Sequence, residues 1–147
     1  MAVCTYNRGA DRIMDCALST TALDLRMALV TGNATGVINR DLDTVADIDG
    51  LNSGATNIHT ERIAITGETS TENDTSDRAD VDANDVAFAA APGVTAVAAV
   101  LYDEGGGTDA TRHLIAGLTT GFPQPVDGGL NVAIAATELL RLLTAQA

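Results

Sequence analysis

Apolar and polar residues alternate along much of the chain, and that alternation predicts short strands. In "LDLRMALV", Leu23, Leu25, Met27 and Leu29 alternate with Asp24, Arg26 and Ala28, as expected for a half-buried strand that Gly32-Asn33 ends. Upstream, Ile13, Met14, Ala17 and Leu18 share one face of a short predicted helix over residues 11–18. Residues 33–60 are weakly periodic and rich in turn formers. They read as a long surface loop with one helical turn over 41–48, Leu42, Val45 and Ile48 pointing inward. From Glu61 onward, short strands follow one another. "ERIAITGE" places Ile63 and Ile65 inward, turns are expected over 73–76 and 83–85, and a polar run leads into Val81. Val86 to Phe88 comes next, then a Pro92-Gly93 turn, then Val94, Ala96, Ala98, Val100 and Tyr102 on one face. "RHLIAGL" and "LNVAIAA" add two strands, and "ELLRLL" reads as either a strand or a helical turn.

Strands at this spacing predict a mostly β fold, an antiparallel β-sandwich or partly closed barrel, with one or two short helices near the N-terminal half. The strand–helix alternation of a parallel α/β protein is missing. The expectation is a single domain over residues 1–147, with residues 1–20 as an extended or helical arm. Residues 86–102 carry no charge, but they fall short of about 20 residues and Pro92-Gly93 interrupts them, so two buried strands fit better than a membrane span.

Charge narrows the function classes. Twenty acidic residues against eight basic ones leave a net charge of −12, which disfavours nucleic acid and anionic membrane as partners. All eight basic residues are arginine, so P-loop, Schiff-base and lysine general-base chemistry are excluded. Much of the apolar content is alanine and aromatics make up only 3%, which predicts a thin core that assembly would help to stabilise. Cys4 and Cys16 are too few for a zinc site, and no apolar segment of signal-peptide type follows the first residues.

No catalytic, cofactor or metal residue is assigned. Gly105 to Gly107 resemble a phosphate loop only superficially: no lysine follows, Asp103 and Glu104 precede, and a strand lies behind. The expected structure is a hairpin, residues 94–102 going out, 112–118 returning, and an acidic tip between. Around Asp80, Asp82 and Asn84 an EF-hand would need glycine where Asp85 stands and glutamate where Ala91 stands, so turn chemistry is the simpler reading. His59 and His113 lack ligands or nucleophiles at useful spacing.

The order of segments resembles that of a known group. "LDLRMALV", a loop with "RDLDTVADI", "ERIAITGETSTENDTSDRADVDANDVAF", "TAVAAVLYDEGGGTDATRHLIAGL" and "GGLNVAIAATELLRL", together residues 22–143, are similar to small virion structural proteins of tailed phages. The resemblance implies a non-enzymatic capsid decoration (cement) protein. Its partner would be the major capsid protein, its location the capsid surface of the virion after assembly in the host cytoplasm, and its state a homo-oligomer, with a trimer as one candidate. The N-terminal 20 residues and the 33–60 loop are the expected contact segments. A tail or head–tail connector component is the alternative within the virion. A carbohydrate- or cation-binding β-sandwich module is the alternative from another class.

Overall fold

The structure is a computed structural model that describes residues 3–5, 9, 23–32, 39–51, 57–73, 78–105, 107–134 and 140–143. Twelve strands and one short helix are present among them: β1 (Val3–Thr5), β2 (Leu25–Val30), α1 (Val45–Asp49), β3 (Ile58–Ala64), β4 (Thr69–Asn73), β5 (Arg78–Asp82), β6 (Val86–Phe88), β7 (Thr95–Ala96), β8 (Ala98–Asp103), β9 (His113–Leu118), β10 (Gln124–Pro125), β11 (Leu130–Val132) and β12 (Leu140–Leu143). The main sheet has the order β1-β9-β8-β2-β3, with every pairing antiparallel. It stays open at β1 and β3, so the fold is sandwich-like and not a closed barrel. A separate three-stranded sheet, β12-β5-β4, makes strands of the polar run before Val81 and of "LRLL".

Both faces of the main sheet are covered. On one face, Met27, Leu29, Leu101, Ile115 and Leu118 pack against Val86, Phe88, Val126 and Val132 of a second layer. On the other, Ala28, Val30, Val100, Tyr102 and Leu114 pack under Val45 and Ile48 of α1. Each large aliphatic side chain buried this way contributes about 1.5–3 kcal/mol. This double cover corrects the half-buried reading of β2: Ala28 is as fully buried as Met27 and Leu29, because α1 lies over the face expected to meet solvent.

The second layer is one interrupted ribbon. Its two arms run over residues 86–96 and 124–132, pairing as β6 with β11 and β7 with β10. Between the pairs the chain turns at Pro92-Gly93 and at Asp127-Gly128, and Ala91 N–H to Val126 O (2.8 Å) and Val126 N–H to Val94 O (2.9 Å) keep the arms together. Gly129 has φ +88°, and a side chain there would meet the Phe88 carbonyl at 3.0 Å, so glycine is required at this close approach.

Three expectations change. Residues 94–102 do not share one face: Ala96 lies in the sandwich core while Ala98, Val100 and Tyr102 lie under α1. The phase switches at Val97, whose N–H donates to Val30 O at 2.7 Å as the chain leaves the ribbon for the main sheet. The 33–60 surface loop gives way, among its described residues, to α1 and the start of β3, with Val45, Ile48, Asn57 and Ile58 buried. The helical turn expected within it is α1, where Val45 and Ile48 point inward and Leu42 packs alongside. In the 1–20 arm, Val3–Thr5 pair with Leu118 to Ala116 of β9; the helix expected over 11–18 lies outside the described residues.

Candidate functional site

Among the described residues, the β8–β9 hairpin carries the densest group of charged side chains. Register places Arg26 of β2 opposite Tyr102 of β8, and Arg62 of β3 opposite Ala28, on the α1 side of the sheet. Tyr102 lies opposite Leu114, so Arg112, two residues earlier, joins them on that side. Arg112 bridges the loop by donating to Glu104 and to Asp109 (2.6 Å). Arg62 reaches the second Asp109 oxygen at 3.0 Å and stands 5.8 Å from the centre of the Tyr102 ring, within cation–π range. Arg26 lies 3.6 Å from Glu104 and 3.4 Å from Asp24.

Three arginines therefore face three carboxylates, and the group is neutral as a whole. The Arg112 hydrogen bond holds the Glu104 carboxyl below the usual carboxylate range, against the upward push of its partial burial. Glu104 in turn raises Arg112. Burial pushes the Tyr102 phenol up, and Arg62 opposes the shift. No cation in this group lacks a carboxylate, so none is left over to hold an external anion.

The loop backbone is committed as well. Gly107 N–H donates to Glu104 O (2.9 Å), and the Thr111 and Arg112 N–H groups donate to Thr108 O. Val45 N–H donates to Arg112 O and Ala46 N–H to Asp109 O, both at 3.0 Å, so the hairpin loop supplies acceptors for the first turn of α1. Asp47 closes that end by accepting from Thr44 N–H at 2.7 Å and Asp43 N–H at 3.0 Å. The hairpin expected from sequence is present, but its acidic tip is anchored to three strands and a helix. The Gly107, Thr111 and Arg112 amides donate to the loop's own carbonyls and the Thr108 amide to the Thr111 hydroxyl, so these four donors are not turned outward toward a phosphate.

The remaining candidates stay apart. Asp82 accepts from Ala83 N–H (2.9 Å), Asp85 from Ile134 N–H (2.8 Å), and Asn84 donates to the Thr66 hydroxyl (3.3 Å), which is turn and crossing chemistry. Among the described residues no group of three or more His, Cys, Asp or Glu side chains gathers to hold a metal. His59 accepts from Glu61 N–H at 3.2 Å, while His113 begins β9 opposite Asp103. Cys16 lies outside the described residues, and Cys4 is described only as part of β1. No helix among the described residues is long and apolar enough to cross a membrane.

The ribbon differs in character. Residues 86–102, 118–126 and 128–134 contain no acid and no arginine. Asp127, between them, accepts from Gly93 N–H at 2.6 Å. Beside the 124–132 arm of the ribbon an open depression of about 340 Å³ is lined by Leu118, Phe122, Gln124, Leu130, Asn131 and Val132. Its lining offers apolar surface and amides but no titratable group, so it suits contact and not proton transfer.

The arginine cluster is not visible in the sequence because its members come from two strands and the β8–β9 loop, separated by 36 and 50 residues. The only local signal was arginine at a position of an otherwise alternating strand. The chain matches no family model, no curated protein and no solved structure.

Proposed function

We propose that this chain is a tailed-phage virion structural protein that decorates the outer face of the major capsid lattice and stabilises the head. The observation that carries the reading is the order of segments from residue 22 to 143, similar to that of small phage virion proteins. Those segments overlap β2, α1, β3 to β9 and β11 to β12. The action is mechanical: buried interface added between neighbouring capsid subunits resists internal pressure, and no catalytic residue, cofactor or metal takes part. About 1,000 Å² of total interface is needed for such a contact to be specific.

The test uses heads lacking the protein. Added protein is expected to bind them saturably and to raise the temperature at which they rupture. No binding, together with heads that withstand heat and chelation equally well without it, overturns the reading.

A further inference from the structure

We infer that Asp127-Gly128, at the tip of a ribbon turn, is a backbone modification site, where aspartate converts to isoaspartate through a succinimide while the protein stays folded. The inference rests on this one turn and needs nothing from the phage reading.

The reaction needs the amide nitrogen that follows an aspartate to reach back to that residue's side-chain carboxyl. Glycine in the following position favours this, because its backbone swings without a Cβ in the way. The chain has two such pairs, Asp49-Gly50 and Asp127-Gly128. The fold treats them in opposite ways.

Asp49-Gly50 is closed to the reaction. Gly50 N–H donates to Ala46 O at 2.9 Å, which ties the nitrogen into the end of α1. Asp49 Oδ1 accepts from Asn57 N–H (2.9 Å) and Ile58 N–H (3.0 Å), so the carboxyl is pinned to the start of β3.

Asp127-Gly128 is open to it. Gly129 N–H donates to Val126 O at 3.0 Å, so residues 126–129 form a turn with the reacting pair in its two central positions. That bond uses the amide of the fourth residue and leaves the Gly128 amide out. Asp127 and Gly128 are both exposed, and a Cβ built at Gly128 meets nothing within 4 Å. The ends of the turn are anchored: Val126 is fully buried and Gly129 lies against the Phe88 carbonyl. Among the described residues the Asp127 carboxyl has one partner, Gly93 N–H, which donates to Oδ1 at 2.6 Å. That donor draws electron density from Cγ and leaves Oδ2 as the departing oxygen.

The chemistry balances without a redox partner. With the side chain as the neutral acid, the Gly128 nitrogen bonds to Asp127 Cγ. Oδ2 leaves as water, carrying its own proton and the Gly128 amide proton. One solvent water then opens the ring. Cleavage at Cγ restores aspartate, and cleavage at the Asp127 main-chain carbonyl carbon gives isoaspartate. In the product the chain runs through Cβ and Cγ, the free carboxylate sits on Cα, and the mass is unchanged. The Gly93 amide loses its side-chain acceptor, so the link between the ribbon's two turns is broken.

Prolonged warm incubation of the folded protein at mildly acidic pH tests this. Cleavage after arginine places Asp49 in the 41–62 peptide and Asp127 in the 113–141 peptide, and electron-based fragmentation then tells isoaspartate from aspartate. Isoaspartate is expected to accumulate at Asp127 and not at Asp49, whereas the denatured chain forms it at both. Asp127→Glu is expected to abolish the product in the 113–141 peptide. Gly128→Ala is expected to slow it about tenfold, because a side chain narrows the backbone range open to the nitrogen. Circular dichroism melts show whether each variant folds, and the two variants serve as alternates if one does not. Absence of isoaspartate at Asp127 in the folded protein overturns the inference, whatever the denatured chain does. Formation at Asp49 as fast as at Asp127, or a rate untouched by Gly128→Ala, also overturns it.

Discussion

The β8–β9 hairpin and the ribbon show opposite uses of charge in one acidic chain. At the hairpin, three of the eight arginines meet Asp24, Glu104 and Asp109 and cancel them. On the ribbon no arginine meets a carboxylate: Asp127 accepts from the Gly93 amide, Glu61 from the Ala89 amide and Asp85 from the Asn131 side chain. A dense ionic group invites a functional reading, and here it fastens a loop, α1 and three strands together. On the ribbon, Asp127 has a single amide as its partner among the described residues and is left open to chemistry. Partner availability, more than the number of charges, separates a locked group from a reactive one.

Breaking the ribbon's attachment has the largest expected effect. Phe88 is 4% exposed and is the largest side chain that the ribbon buries in the sandwich core. Phe88→Ala is expected to cost about 3–5 kcal/mol, read by denaturant unfolding.

Breaking the hairpin comes second. Arg112→Met removes both bridges and leaves Glu104 and Asp109 facing each other without their shared cation. Loss of a partner from a fully buried pair costs about 3–5 kcal/mol, but these side chains are 16–31% exposed, so about 2 kcal/mol is expected. Isoaspartate formation at Asp127 should be unchanged, since the ribbon keeps its own core contacts. A slowing as large as that from Gly128→Ala would contradict the separation of the two regions.

Gly129→Ala probes the kink where the ribbon's arms part. With φ at +88° and the Phe88 carbonyl 3.0 Å from the new methyl, a cost of about 1–2 kcal/mol is expected in the same unfolding assay.

The smallest effect is on pH dependence. Glu104 has a folded-state pKa below its unfolded value, so its contribution is present above the unfolded value of about 4.3 and is lost as pH falls through the folded one. Stability curves of the wild type and Glu104→Gln should therefore converge as pH drops below that range and differ by about 1 kcal/mol at neutral pH. A constant difference across the acid range would mean that Glu104 does not act through its charge.

Much of the fold was legible because it is local. Strands β2, β8 and β9 follow from alternation, and α1 from Val45 and Ile48 one turn apart. Three features needed long-range information. Ala28 is buried only because α1 returns over β2. The phase break at Val97 exists only because Val97 bonds to Val30 across the sheet. The polar residues of β4 and β5 form strands through their pairing with each other and with β12. The arginine group was illegible for the same reason: Arg26, Arg62 and Arg112 become neighbours only once β3, β2, β8 and β9 are in register. The uncharged stretch was visible from the start, but it read as interior. One side of the ribbon is interior, and alternation turns the other side outward.

Hydrogen–deuterium exchange on the folded protein tests the contrast most directly, because both regions are read in one sample. Slow exchange is predicted for the Val45, Ala46 and Arg112 amides, which the hairpin loop holds, with the Gly128 amide exchanging close to the rate of the unfolded chain. A protected Gly128 amide beside fast exchange at Val45, Ala46 and Arg112 would contradict the account.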